Sequence, residues 1–569
     1  MYDLVIRSGR VVDGTGMPSY VADVGVSDGK IVDIGILDSS SATSVIEAGG
    51  QVVAPGFIDN HCHFDAQITW DPLCTYSPQH GVTTVIFGNC SLSLAPARPE
   101  ERENLMMMLS RVEAIPMESL EEGIDWAWTS MPEYLDHLDK RLGVNAGVLI
   151  GHSAVRRYVM GEASQERIEA TDQELEEMKE IIREGMLAGA LGLSFNRNRG
   201  HLDLRGKPIP GIVAPVDELY ELATALRDLP AGIIQCGAAY PLEIKDGFAT
   251  KLGEKSGRPV IYNQLVHNAR MPDAWKDHLE LVEKRILEGK QVYPVVNPRP
   301  SAQRFTMKNA QLFDRMPVWR DVMQGSTEEK KIAFSDATVR DQLRSEAVAG
   351  MGLPQDVLPI QWDKIRITRT ILEENANLRG TSVGQMAIDQ GKEVLDAFLD
   401  LVLGEDLNTG FENNQSGSDA GVMAQIIASP YTLIGLSDAG AHVVFEAGYG
   451  YSTLLLGHWV RSENAISLEE GIRKLTSMQA SLYGLHDRGL IKVGMAADLV
   501  VFDPETVGPE EPHESYDLPG DLMRLGQRAV GVSYTIVNGQ ILLDHGEHTG
   551  SYPGRVLRNG ASVRQGAPA

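Results

Sequence analysis

Long apolar runs are missing from this 569-residue chain. None approaches the roughly 18 residues that a membrane-crossing helix needs, so no membrane partner is expected. Cysteine is scarce: Cys62, Cys74, Cys90 and Cys236 are too few and too scattered for a disulfide framework. A reducing cytoplasm is therefore the expected setting. Positive charge is short as well, with 51 Lys and Arg against 78 Asp and Glu and a formal net charge of −27. Nucleic acid is not an expected partner, because phosphate binding needs basic patches. Acidity on this scale mainly favours solubility. The opening Met1-Tyr2-Asp3-Leu4 has no charged-then-apolar order of a signal peptide. No internal repeat and no low-complexity linker interrupts the chain.

The composition that remains is globular, 43% hydrophobic and 23% charged, and the length suggests two domains rather than one core. Both ends read as β-structure. Leu4–Arg7, Arg10–Val12, Val21–Val26 and Lys30–Ile34 are short strand patterns, the last two joined by a Ser27-Asp28-Gly29 turn. Near the other end Asp498–Asp503 is a strand, and Tyr534–Val537 and Gln540–Leu543 flank the hairpin signal Asn538-Gly539. The middle alternates strand patterns (Thr83–Phe87, Gly147–Ile150, Gly232–Ile234, Pro259–Tyr262, Gln291–Tyr293, Tyr431–Ile434) with helices. Two of these helices open on the boxes Thr171-x-x-Glu174 and Ser467-x-x-Glu470. The expected fold class is therefore α/β: a TIM-like (β/α)8 barrel over residues 55–479, with a mostly helical insertion around 301–410. A small β-sandwich domain is expected from residues 1–54 and 480–569 together.

Within this pattern one stretch carries chemistry. Pro55–Asp65 runs from an apolar segment into His61-Cys62-His63. On a strand, an i, i+2 pair sends both imidazoles to one face, and imidazole suits Zn, Fe or Ni. An Asp follows at the next same-face position, Asp65. A metal-dependent hydrolase is the reading.

Further segments extend it: PGFIDNHCHFD at Pro55–Asp65, HGVTTVIFGNCSLSLAP at His80–Pro96 and IGHSAVRRYVMG at Ile150–Gly161. Two more are GLSDAGAH at Gly435–His442 and ISLEEGIRKLTSMQASLYGLHDRGLIKVGMAADLVVFD at Ile466–Asp503. On these segments the chain resembles the amidohydrolase superfamily, and more narrowly the N-acyl-D-amino-acid deacylases. The resemblance implies that His61 and His63 bind a metal and that Cys90 takes the place of a bridging carboxylated lysine. A thiolate is a good Zn ligand, and neither Thr83–Phe87 nor Gly147–Ile150 holds a Lys. It further implies that Asp438 touches the metal and acts as general base. His442, four residues on, reads either as a mouth residue or as a loop hydrogen bond. The chain departs from the deacylases where their tighter metal is held by two histidines. The corresponding segments here are Ile234-Gln235-Cys236-Gly237 and Tyr262-Asn263-Gln264-Leu265-Val266-His267, with Cys236, Gln264 and His267 as nearby substitutes. One Zn ion, or another divalent transition metal, on His61, His63, Asp438 and Cys90 is the simpler expectation, with two ions the alternative.

Other polar residues sit at strand exits. His152 reads equally as a substrate or metal contact and as a structural hydrogen bond. One of Arg197 or Arg199 reads either as a grip for an anionic substrate group, since an Arg fork holds a carboxylate bidentately, or as a solvated loop arginine, and His201 beside them is a substrate-binding candidate. Met106–Met108, Trp126 and Trp128 read as core or as an acyl pocket. The expected reaction is hydrolysis of a small-molecule amide, an N-acyl amino acid or related acylated amine, by metal-activated water with Asp438 taking the proton. Another amide, lactam or ester, a deaminase, or an inactive scaffold are the alternatives. A homo-oligomer is left open.

Overall fold

Eight strands follow one another round a single parallel sheet in the order in which they occur along the chain: β1 (Phe57–Asp59), β2 (Val82–Phe87), β3 (Asn145–Gly151), β4 (Gly192–Asn196), β5 (Ile233–Gly237), β6 (Val260–Asn263), β7 (Val292–Val296) and β8 (Leu433–Ile434). The computed structural model describes all residues except 269–270, 300, 352–358, 417–418 and 561–569. Between the strands lie helices such as Asp172–Ala188, whose start is fixed by the Thr171–Glu174 capping box expected from sequence. Such alternation builds a barrel because each crossover needs a helix to return the chain to the same edge. The lumen is filled by one aliphatic residue from most strands: Ile58, Ile86, Leu149, Ile233, Ile261, Val295 and Leu433 share a buried cluster.

Closure between β1 and β8 falls to the segments just beyond them. Asp438 N–H donates to His61 O at 3.2 Å and His63 N–H to Ala439 O at 2.8 Å. The Asn60 side chain spans the seam, accepting from Leu436 N–H at 3.2 Å and donating to Gln479 at 2.8 Å. A Cβ at Gly435 would come within 1.9 Å of Asn60 Oδ1, so this crossing admits only glycine.

A second sheet of nine strands joins the two ends of the chain. Val52–Pro55 runs antiparallel to Leu499–Phe502, with Val53 opposite Val501. The segments Leu4–Arg7 and Arg10–Val12, expected as separate strands, form one strand, Leu4–Val11. It is kinked by a register shift between Ile6 and Gly9, where Ser8 takes φ 56°. Ser27 faces Lys30 and Val537 faces Gln540 across the two expected hairpin turns.

The insertion differs from expectation. Helices are present (Pro317–Met323, Thr327–Ser335, Ala337–Ala347, Val383–Gln390, Val394–Gly404), but Ser301–Phe305, Gly410–Ser416 and Ile365–Arg369 also pair as an antiparallel sheet. Phe305, Phe313, Trp319, Phe334, Phe398 and Phe411 give it a core of its own. Strands of five to seven residues separated by whole helices leave little local signal, since their partners lie dozens of residues away. Among the described residues no helix is long and apolar enough to cross a membrane.

Candidate metal centre

Strand β1 ends at Asp59, so His61 and His63 lie just past the strand rather than on it. Their convergence comes from the seam. Asp59 accepts from His61 N–H at 3.3 Å and from Ser437 Oγ at 2.5 Å, which ties the exit of β1 to the exit of β8. The two rings meet edge to face with centroids 5.3 Å apart. The Nε2 atoms of His61 and His63 stand 3.5 and 3.7 Å from Asp438 Oδ1. Cys90 Sγ lies 3.5 Å from His61 Nε2. One ligand atom each from His61, His63 and Cys90 falls within 4.8 Å of the others. Donors placed at about 2.0–2.3 Å round one tetrahedral ion have mutual separations of this size.

Both imidazoles are neutral, the form that binds metal. Burial holds His61 down at about 3. Burial, then the neighbouring His61, His442 and His201, keeps His63 well below the usual range. Burial raises the Cys90 thiol, as do the nearby carboxylates of Glu113 and Asp438. A divalent ion deprotonates such a thiol outright. Burial and the Glu446 carboxylate push Asp438 up to about 8, against the pull of Arg299. Cys90, Asp438 and His442 adopt left-handed backbone conformations, with φ of 53°, 52° and 52°. For residues with a Cβ this costs of order 1–3 kcal/mol each, and it persists only where the surroundings enforce it. Arg299 supplies part of that enforcement on the β8 side. It donates to Ser437 O at 3.1 Å and Ala447 O at 3.2 Å and pairs with Glu446 at 2.8 Å.

Opposite the histidines stands a wall of carboxamides. Period 2 along β5 and β6 puts Gln235 on the face of Ile233 and Asn263 on the face of Ile261, both toward the lumen, while Cys236 packs outward with Ile234 and Tyr262. Gln235 Oε1 accepts from Cys90 N–H at 2.9 Å, and its NH2 donates to Asn263 Oδ1 at 2.8 Å. Asn263 also draws the Cys90 thiol down, against the rise that burial imposes. The same Gln235 NH2 lies 3.5 Å from His61 Nδ1. The inward residues at the two departures from the deacylases are thus Gln235 and Asn263 in place of Cys236 and Gln264.

The remaining candidates divide. His442 and His201 belong to the mouth: both interact electrostatically with His63, and His442 Nε2 lies 4.0 Å from Glu113. His201 Nδ1 contacts the Asn196 side chain at 2.8 Å. His152 does not face the mouth; its Nε2 is bound to Glu218 of the outer helix Val216–Ala223 at 2.8 Å, because Arg156 holds that carboxylate beside it. Arg197 spends its guanidinium on the carbonyls of Gly211 and Ala214, and Arg199 is exposed. His267 is buried with its Nδ1 unpartnered among the described residues. Met106, Met108 and Trp128 are core. Glu113, absent from the sequence-based candidates, enters the site from the end of helix Arg102–Val112, with a carboxylate oxygen 3.4 Å from His63 Nδ1.

A histidine pair at the exit of the first strand, a thiol after the second and an aspartate after the eighth, round the mouth of an eight-stranded barrel, form the layout of a metal-dependent hydrolase. The chain belongs to the amidohydrolase family, whose model matches residues 44–543. It is an enzyme of the D-aminoacylase-like kind, acting on carbon–nitrogen bonds other than peptide bonds. An uncharacterised protein of Mycobacterium tuberculosis is 29% identical over 609 residues, spanning 98% of this chain and 96% of that protein. The D-aminoacylase of Alcaligenes xylosoxydans xylosoxydans is 26% identical, spanning 99% and 98%. A D-aminoacylase structure described as having a binuclear metal centre superposes with a TM-score of 0.68 at 26% identity, covering 98% of this chain and all of that one.

Proposed function

We propose that the protein hydrolyses the amide of an N-acyl amino acid or a closely related acylated amine, with one divalent ion, zinc by ligand chemistry, held by His61, His63 and Cys90. The observation that carries this reading is the convergence of three buried, metal-competent ligand atoms beside Asp438 at the mouth of the barrel. The bound ion supplies Lewis acidity and brings a water's pKa toward about 7. With the ion's charge offsetting the burial that raises its carboxyl, Asp438 would be placed to accept a proton from water there and return it to the departing amine, and with 28% of its side chain exposed it can reach a substrate. Neutral His201 and His442 line the same opening and are placed to bond the acyl or carboxylate oxygens. The D-aminoacylase and N-acyl-D-glutamate deacylase relatives support the substrate class. The Gln235–Asn263 pair supports a single ion, because neutral amides occupy the wall facing His61 and Cys90 and are already hydrogen-bonded to each other. Four buried free thiols support a reducing compartment.

The test is a panel of N-acyl amino acids of both configurations, lactams, esters and aminated bases, run on zinc-loaded protein. Release of amino acid from N-acyl substrates is expected. Ammonia release from bases would replace this reading with a deaminase, and inertness of metal-loaded protein across the panel would replace it with a scaffold.

A further inference from the structure

Glu113 is a carboxylate buried with imidazoles. Its side chain is 3% exposed, and among the described residues its ion-pair partners are His63 and His442. One oxygen lies 3.4 Å from His63 Nδ1 and the other 4.0 Å from His442 Nε2. Its main-chain carbonyl accepts the N–H of His442. Glu113 therefore stands between the two sides of the opening. His63 Nδ1 is buried and has no hydrogen bond, and Glu113 is the carboxylate within reach of it. The other nitrogen of that ring, Nε2, faces Asp438.

We propose that Glu113 is the positioning residue of the metal centre: its carboxylate accepts the Nδ1–H of His63, fixes that tautomer and turns the Nε2 lone pair into the ligand cluster. The proposal rests on the reading of His63 as a ligand. A ligating histidine needs its outer nitrogen protonated and held, and a carboxylate holds it while raising the ring's strength as a donor. At His61 the outer nitrogen has no carboxylate beside it among the described residues; its neighbour, at 3.5 Å, is the neutral Gln235 amide. A side-chain carboxyl thus stands at the outer nitrogen of His63 and not at that of His61. Glu113 is itself held through its chain neighbours. Two residues before it, Arg111 bonds Asn309 and pairs with Asp314 of the insertion, so the insertion braces the turn that delivers the carboxylate.

The experiment is zinc affinity by chelator competition on the full-length protein, for wild type, Glu113→Gln, Glu113→Ala and His63→Ala. Glu113→Ala should weaken zinc binding by about 10- to 100-fold, the usual cost of losing such a partner. Glu113→Gln, which keeps a neutral acceptor, should fall in between. If His63→Ala weakens binding and Glu113→Ala leaves it unchanged, the positioning role is overturned and the ligand reading survives. If His63→Ala also leaves it unchanged, the ligand reading itself fails. Nitrogen-15 signals of labelled histidine in the wild-type protein give a readout that does not depend on any variant folding. The His63 ring should be protonated at Nδ1, and protonation at Nε2 would overturn the proposal.

Discussion

At the foot of the barrel, Lys474 sets its ammonium against Thr432 O, Thr432 Oγ1 and Ser429 O, three acceptors for three hydrogens. Arg488 lies between Asp487 and Asp498, and Asp498 also accepts from Asn145 and from Asn538 N–H. At the mouth of the same barrel the polar groups are buried too, Asp438 apart, and far less matched. Glu113, Asp438, His61, His63 and Cys90 face one another with no Lys or Arg in ion-pair contact among the described residues, and His63 Nδ1 and Asp65 Oδ1 have no hydrogen bond. Buried polar groups are normally satisfied because an unpaired one costs about 1–3 kcal/mol. The foot obeys that rule, whereas the mouth departs from it, as the proposed chemistry requires of groups that must meet a metal and a substrate.

If this contrast is right, substitutions at the mouth should cost turnover and those at the foot should cost stability. The largest effect is expected from Asp438→Asn, which keeps the shape and loses the proton acceptor: turnover should fall by about 10²- to 10⁴-fold. Zinc content should drop far less than in a His61→Ala, His63→Ala double variant, and the melting temperature should stay near wild type. Full activity in Asp438→Asn would pass the base role to another mouth residue. At the foot, Asp498→Ala removes the buried partner of Arg488, leaving it the exposed Asp487 alone, and also unpairs Asn145 and Asn538 N–H; unfolding free energy should fall by about 3 kcal/mol in urea titration. Zinc bound per folded chain should not change, and a loss of zinc there would erase the distinction between the two ends.

A third experiment redraws the mouth. Elemental analysis should find one tightly bound ion in wild type, and Gln235→His with Asn263→His should raise this to two, since imidazoles would then face Cys90 from both strands. Two firmly bound ions in wild type would refute the single-ion reading. The smallest effect concerns pH. Burial brings Lys474 down to about 7 in the folded protein, against 10.5 for the free group. Between these values the unfolded chain binds more protons, so this residue should make stability rise with pH from about 7 to 10.5 and contribute no slope below 7. The slope is at most about 1.4 kcal/mol per pH unit. Urea titrations at pH 7, 8 and 9 should show a slope in wild type that is shallower in Lys474→Met; parallel lines would mean that the ammonium is stabilised by its carbonyls as well as by water.

Much of this was legible where the signal is local. The Asn538-Gly539 turn and the Thr171–Glu174 box each state their meaning within a few residues, whereas the strand alternation expected to align His61 and His63 does not apply, since both lie past the end of β1 and meet through the seam. Gln235 and Asn263 were within reach of the same reasoning: counting by two from Ile233 and Ile261 puts them in the lumen and Cys236 outside it. Glu113 was not. It follows an unremarkable helix, and its role arises only because the exits of β1 and β8 close against that helix's end. His152 was left open between a site contact and a structural hydrogen bond for a related reason, since a strand exit places a residue near the mouth without saying that Glu218 stands behind it. The three strands of the insertion escaped because their partners are dispersed over more than a hundred residues.

The sheet that joins the two ends of the chain also sets a timetable. Pro55 and Leu499 are register partners separated by 444 residues (499 − 55). A ribosome adding about 5–20 residues per second takes roughly 20–90 s to cover that interval. Throughout it the strand Val52–Pro55 waits with one edge unpaired, beside a barrel that cannot close until β8 is made. The nascent chain thus spends most of its synthesis with an open β edge, the feature that invites pairing with the wrong partner. Its yield in the cell should therefore respond to translation speed and chaperone supply more sharply than its final stability would suggest, and codon changes ahead of Leu499 that slow synthesis should raise the insoluble fraction without altering one residue of the product.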